Sequence, residues 1–383
     1  MRLREGQPLM LEIVVIGAGI AGFAAALALW ERGAAVSVVE AGRPGGEATG
    51  ASAGMVAAQY EAEPSVKFRL GVECRARYPE FVAKLEELSG QALHLRWDGI
   101  LVANLSQEEH EDAGVAVRWQ QEEGLQAELL DPGQAAELQP GLGSEAVSYI
   151  WLPEEGQLDS QALAVALSAA LARTEIRLIR GNSVVEVLSR NGSVTGVAMA
   201  DGRTLAAERV VLAAGAWSGT LRGLPRVLPV RPVRGQMLRL PGATLALEHI
   251  VASHAGRYLV PKADGTVLAG STMEDAGFDQ SISEDGLRLI HDGVSQLVPA
   301  LAGLKALERW AGLRPLSADS SPIIGPDPEL DGLIYTTGHG RSGILVAPLV
   351  GAVVADLAVS GRSEFDWKPF RPDRFAGSES SAT

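Results

Sequence analysis

The stretch Ile13-Val-Val-Ile-Gly17-Ala-Gly19-Ile-Ala-Gly22, followed by Val36-Ser-Val-Val-Glu40, constrains what this chain can fold into more than any other. It reads as a buried strand, a glycine-rich turn, a helix, and a second strand ending on a carboxylate. Gly17 lets the chain turn tightly out of the strand, Gly19 lets backbone approach a pyrophosphate, and Gly22 lets the helix pack closely on the sheet. The helix start at Ile20 and Ala21 offers N–H groups and a partial positive charge to a phosphate. Glu40 lies 18 residues past Gly22, close to the ~20-residue spacing at which an acidic side chain reaches ribose hydroxyls. Gly-x-Gly-x-x-Gly alone says little. Set between two such strands and followed by that acid, it specifies a dinucleotide site.

The competing reading is a membrane span or signal sequence, because Ile13 to Trp30 is a run of 18 uncharged, mostly apolar residues. That length only just reaches the threshold for a span. The run Ala34 to Val39 follows directly after the Glu31-Arg32-Gly33 turn, as a βαβ unit requires. Met1 to Glu12 carries two Arg and two Glu and lacks a clean positive region or small-residue cleavage site. The chain therefore reads as soluble, and with its cysteine usage as cytoplasmic.

At 383 residues the chain is long enough for two domains with ordinary cores. A net charge of −14 argues against non-specific binding to nucleic acid or to anionic membranes. Cys74 is the one cysteine, so neither an intramolecular disulfide nor a cysteine-cluster metal site can form, in keeping with a reducing compartment. It stands between Arg69 and Arg77 in a helical-looking segment, where a packed helix residue outweighs a reactive thiol. The six histidines show no metal-ligand spacing, and no metal site is expected.

The nucleotide-binding half is discontinuous along the chain. Ser160 to Arg173 has helical periodicity with an Asp159/Ser160 start signal. Strand-like runs follow at Glu175–Arg180, Val184–Leu188 and Val194–Ala200, the last two joined by the hairpin signal Asn191-Gly192. Glu208 to Leu212 is a further apolar strand, ending on Ala-Ala-Gly215, where small residues let a ligand approach backbone or merely permit tight packing. The expected division is a nucleotide domain of residues 1–82, 155–222 and 312–375, a substrate domain of residues 83–154 and 223–311, and a frayed tail at 376–383. The fold class that follows is α/β, with a second α+β domain built on a mixed or antiparallel sheet.

Four segments together carry a family resemblance: the fingerprint with Glu40; Ala48-Thr-Gly-Ala-Ser-Ala-Gly-Met55; Arg257-Tyr-Leu-Val-Pro through Gly270-Ser-Thr-Met273; and Trp310-Ala-Gly-Leu-Arg-Pro315 through Gly338-His-Gly-Arg-Ser-Gly-Ile-Leu345. In this order they resemble the flavin-dependent amine oxidases of the D-amino-acid oxidase superfamily, and most nearly its glycine-oxidase branch. The resemblance implies a Rossmann-like FAD domain of the glutathione-reductase type. It also implies oxidative deamination of glycine and of small D- or N-methyl amino acids, with molecular oxygen reduced to hydrogen peroxide, in the thiazole branch of thiamine biosynthesis. A homotetramer is implied as well. The sibling branch tethers its flavin to a cysteine in the C-terminal half. None stands there, so the FAD is expected to be non-covalent. The rival readings are a D-amino-acid dehydrogenase using another electron acceptor and a non-catalytic flavin-binding subunit.

The resemblance assigns roles by position. Ala48, Thr49, Ala53, Gly54 and Met55 run beside the flavin ring; composition alone also permits a small-residue helix start. Val184 occupies the position whose backbone meets the adenine, and Gly215 ends the strand beside the cofactor. His339, Gly340, Arg341, Ser342, Gly343, Ile344 and Leu345 open an apolar helix, Ile344 to Leu357, whose N-terminus faces the flavin C2 carbonyl and N1, where negative charge gathers on reduction. Arg314 is the candidate substrate anchor, because a planar guanidinium holds a carboxylate in a fixed pose; the alternative is a salt bridge to Glu308 or Asp319. Tyr258 would donate to the same carboxylate or serve in packing, Arg341 would approach the substrate or the flavin edge, and Met273 would line the pocket over the α-carbon. No side chain is required as acid or base, since the cofactor carries the hard chemistry.

Overall fold

The computed structural model describes residues 10–60, 62–243 and 245–375; the expectations for the segment before Met10 and for the tail 376–383 lie outside them. Two sheets organise the molecule. The first has six strands in the spatial order Ile323–Pro326, Leu333–Thr337, Arg209–Leu212, Glu12–Ile16, Ala35–Glu40, Arg177–Arg180. Every pairing is parallel except that of the edge strand Ile323–Pro326. A central parallel strand is covered on both faces and so reads as a continuous apolar run. Ile13 and Val15 face the helices Ile20–Glu31 and Gly343–Ser360. Val14 and Ile16 face the opposite layer, a three-stranded meander of Val184–Arg190, Ser193–Met199 and Thr204–Ala206. The membrane-span reading of Ile13–Trp30 is thereby replaced by one strand and one core helix.

The meander turns at Asn191 (φ 53°) and Gly192 (φ 78°), the pair of left-handed residues that a two-residue hairpin needs. The C-terminal helix Gly343–Ser360 is, by length and composition alone, able to cross a bilayer. Here it is a core helix: Gly351 lies so close to Ala24 of the first helix that a Cβ would meet Ala24 Cβ at 2.7 Å. It runs a turn longer than expected and stops at Gly361 (φ 70°).

The second sheet has eight strands in the order Glu308–Ser317, Val230–Pro241, Thr266–Gly270, Tyr258–Pro261, Ile250–Ser253, Ile100–Asn104, Ser148–Leu152, Glu128–Leu130. It is mixed, with one parallel pair, Ile250–Ser253 on Ile100–Asn104. The helix Glu284–Leu297, capped by Ser283, covers one face, and the other faces the small-residue segment around Ala53. The boundary expected between residues 311 and 312 falls inside the strand Glu308–Ser317. That strand pairs with Val230–Pro241 from Glu308 to Ser317, so all of it, Arg314 included, belongs to the eight-stranded sheet.

Candidate cofactor and substrate site

A cavity of about 1370 Å³ lies between the two sheets, larger than the roughly 300–1,000 Å³ that serves a drug-sized ligand. One end is built by the fingerprint. Gly17 (φ +99°) turns so close to the neighbouring strand that a Cβ would sit 2.5 Å from the Ala213 carbonyl oxygen. A Cβ at Gly22 would lie 2.0 Å from the Gly17 carbonyl oxygen, which is why Gly22 supports the turn from beneath while Gly17, Gly19, Ile20 and Ala21 form the wall. Thr49 Oγ1 accepts from Ile20 N at 3.1 Å, tying the small-residue segment to the start of the first helix. Glu40 also lies on the wall; its carboxylate accepts from Ala18 N at 2.8 Å and from Gly42 N at 2.7 Å, bracing the turn it follows.

The segment after Glu47 forms one turn of helix, Ala48–Ala51, and then the short strand Met55–Val56. Both earlier readings of it therefore describe the same residues: a small-residue helix start that is also a cavity wall. Gly54 (φ +77°) is pressed against the Leu158 carbonyl, 2.1 Å from where its Cβ would be. Ala48, Thr49, Ala53, Gly54, Met55, Val184 and Gly215 all line the cavity.

The far end is made by two strands and a turn. Gly340 N donates to Pro315 O at 2.8 Å, joining the glycine-rich turn directly to the Arg314 strand. His339, Gly340, Arg341, Ser342, Gly343, Ile344 and Leu345 line the cavity, and the helix Gly343–Ser360 begins there. Arg314 Nη1 donates to Thr272 O at 3.1 Å and Nη2 to Ser271 Oγ at 2.7 Å. The carboxylates considered as alternative partners are engaged elsewhere, Glu308 with Arg239 at 3.1 Å and Asp319 with Arg374 at 2.8 Å. Tyr258 is buried, its hydroxyl donating to Met237 Sδ at 3.3 Å, and Met273 is half exposed at the mouth. All of the site residues named from the sequence except Gly22 thus share one cavity.

The FAD dependent oxidoreductase (DAO) family model matches residues 12–357. The chain belongs to that family. It is 32% identical to glycine oxidase of Geobacillus kaustophilus over 96% of this chain and 97% of that protein. It is 36% identical to the bifunctional protein ThiO/ThiG of Trichormus variabilis over 95% of this chain, which spans 55% of that longer protein. The crystal structure of glycine oxidase from Geobacillus kaustophilus superposes with a TM-score of 0.90 at 31% identity, covering 95% of this chain and 98% of that one.

Burial pushes His339 down to about 4, so it is neutral at ordinary pH, with Nε2 3.3 Å from Thr336 Oγ1. Cys74 is buried in the helix Val66–Ala76, its thiol raised to about 12 by burial and its Sγ 3.4 Å from Val346 O. It is a packed residue and no nucleophile. Among the described residues no cluster of three His, Cys, Asp or Glu could hold a metal ion.

Several wall residues escaped the sequence reading. Arg43 and Glu47 follow Glu40 in the loop, and Trp217, Gly235 and Met237 come from the segments that lead into and along the second sheet. Trp217 stacks on Phe278 with ring centroids 5.6 Å apart. Behind the wall, Lys262 Nζ donates to Ala53 O (2.8 Å), Gln157 Oε1 (2.8 Å) and Leu158 O (3.1 Å). Arg43 had a weak signal, a cation in the loop after the acid. Lys262 had none, since its partners lie more than a hundred residues away in sequence.

Proposed function

We propose that this chain oxidises glycine and small amino acids, D-amino acids and sarcosine among them, using FAD and molecular oxygen. Glycine, water and oxygen would give glyoxylate, ammonia and hydrogen peroxide, in service of the thiazole branch of thiamine biosynthesis. The observation that carries the reading is the hydrogen bond from Gly340 N to Pro315 O, which sets a carboxylate-type arginine and a helix N-terminus on one wall of a dinucleotide-sized cavity.

The residues present fit FAD. Cβ atoms at Gly17, Gly22 and Gly54 would strike the backbone that shapes the cradle, and the helix starting at Ile20 points its N-terminus into it. Gly17, Gly19, Ile20, Ala21 and Glu40 would hold the pyrophosphate and ribose, and Val184 the adenine. Ala48 to Met55 and His339 to Leu345 would hold the flavin ring. FAD when bound supplies a two-electron acceptor for the hydride leaving the substrate's α-carbon.

The protein's part is pose. Arg314 would clamp the substrate carboxylate bidentately, Tyr258 would add a hydroxyl donor, Arg341 would stand beside substrate or ring edge, and Met273 would close over the α-carbon. Holding the reacting carbon in one orientation is a large part of what such a site must do. The FAD is non-covalent in this reading, because the single cysteine is committed to packing against Val346. The chain is further read as a cytoplasmic homo-oligomer, a tetramer, without a membrane or nucleic-acid partner. The nucleotide domain is drawn as residues 1–82, 155–222 and 318–375, with the strand Glu308–Ser317 assigned to the substrate domain.

The deciding experiment is the visible spectrum of the purified protein before and after anaerobic glycine. A bound-flavin spectrum that bleaches, then recovers in air with peroxide formation, is expected. Bound flavin indifferent to glycine but bleached by D-alanine, D-proline or sarcosine would shift the substrate. A protein that neither carries nor takes up FAD would overturn the reading.

A further inference from the structure

Arg314 points its side chain across the sheet. In the antiparallel pair of Glu308–Ser317 and Val230–Pro241, Arg314 stands opposite Val233 and Gly312 opposite Gly235. Side chains two apart on a strand share a face, so Gly235 is the diagonal same-face neighbour of Arg314. Val233, Gly235 and Met237 all line the cavity, and the middle member of that row has no side chain. A Cβ at Gly235 would lie 2.0 Å from Arg314 Nη1, 2.3 Å from Nη2 and 2.4 Å from Cζ. The Nη1/Nη2 end of the guanidinium therefore occupies the space that a Gly235 side chain would take.

The surroundings fix that position. Arg314 donates to Ser271 Oγ and Thr272 O. The residues flanking Gly235 are tied to the same segment: Arg234 N to Glu274 O at 2.9 Å, and Gln236 N to Thr272 Oγ1 at 2.9 Å. Arg257 Nη1 also donates to Ser271 O. A glycine inside a strand costs stability, and its backbone here has an ordinary negative φ, so no turn or bulge requires it.

We propose that Gly235 is a positioning residue, whose missing side chain leaves the space that the Arg314 guanidinium occupies to receive the substrate carboxylate. This rests on the reading of Arg314 as the carboxylate anchor. The contact is with the far end of a flexible side chain, so Gly235→Ala can be accommodated by moving the guanidinium and leaving the sheet in place. Gly312 differs: its Cβ would meet Ala51 Cβ at 2.6 Å, so a change there acts on the cofactor wall.

The test is a double-mutant cycle on the FAD-loaded enzyme, read by KM for glycine and by the Kd of glycolate, a carboxylate without an amine, from its perturbation of the bound-flavin spectrum. Gly235→Ala is expected to raise both by between about 10-fold and about 100-fold, the scale of losing one hydrogen bond to a charged group, with melting temperature and flavin retention unchanged. In an Arg314→Ala background the same substitution is expected to change neither, because the group it displaces is gone. Equal effects in both backgrounds, or none in the wild-type background, would overturn the role. If Gly235→Ala fails to fold, recovery in the Arg314→Ala background supports the contact, and failure in both assigns Gly235 to sheet packing alone. If Arg314→Ala itself leaves glycine and glycolate binding intact, the carboxylate reading falls and this inference falls with it.

Discussion

Lys262 is a buried cation that no substrate or cofactor role explains, and replacing it with methionine has a calculable consequence. The side chain follows the strand Tyr258–Pro261 and bridges Ala53 O, Gln157 Oε1 and Leu158 O. Burial lowers its pKa from the ordinary 10.5 to about 7, against the pull of Asp159 and Asp98 and with the push of Arg239 and Arg96. At about 1.4 kcal/mol per unit that gap is worth at most about 5 kcal/mol. The sign follows from proton counting. Below about pH 7 the lysine is charged in both folded and unfolded chains, and stability is independent of its titration. Between about 7 and 10.5 the unfolded chain holds one proton more, so stability rises with pH and is lost again as pH falls through the folded value. Lys262→Met removes that slope. It also leaves three acceptors without their donor, at roughly 1–3 kcal/mol each, partly offset because no ammonium is buried. Urea unfolding of the FAD-saturated proteins measures both terms. The wild-type advantage over the variant should grow by about 2–3 kcal/mol between about pH 7 and about pH 9. Parallel stability curves over that range would refute the argument, because they would mean that Lys262 does not titrate there.

Four further outcomes are expected. Arg314→Ala should raise KM for glycine about 100-fold or more, the loss of a bidentate charge-assisted contact, while the visible flavin spectrum stays unchanged; steady-state kinetics decide it. Gly54→Ala forces a side chain onto φ +77° and 2.1 Å from the Leu158 carbonyl oxygen, so FAD affinity measured by fluorescence titration should fall at least about 10-fold, as expected for ~1–3 kcal/mol of backbone strain. His339→Asn should leave the pH profile of kcat/KM unaltered between about pH 5 and pH 9, because the histidine protonates only below about 4. Arg75 binds Glu155 in a buried pair, and burial holds Glu155 up at about 7 despite that partner. Arg75→Ala should cost about 3–5 kcal/mol, and the deficit in thermal melts should widen as pH rises through about 7, where the stranded carboxylate must ionise or bind a proton.

What the chain reveals before folding depends on how far apart the interacting residues lie along it. The fingerprint is legible because its strand, turn, helix and acid fall within one contiguous stretch, so spacing alone implies geometry. The hairpin at Asn191-Gly192 is legible for the same reason. Arg314 and the turn at His339–Leu345 could be paired from the sequence only through family resemblance, since nothing local says that Gly340 N meets Pro315 O. The residues that set the quality of the site are of a third kind. Gly235 has meaning only once the register places it diagonally opposite Arg314, and a slip of one residue would turn it to the other face. Lys262 reaches Ala53 across 209 residues, and Phe278 meets Trp217 from a turn far along the chain. Spacing rules cannot find such contacts, because the period that sets them is the strand register between two segments and no repeat within either one. The expected boundary at residue 312 falls inside a strand for the same reason: the backbone around Arg314 is held by the strand Val230–Pro241, far away in sequence. It follows that substitutions in this sheet should be judged by what lies diagonally across the strand pair, where Gly235 and Gly312, facing each other, are predicted to act on different partners, Arg314 and Ala51 of the cavity wall.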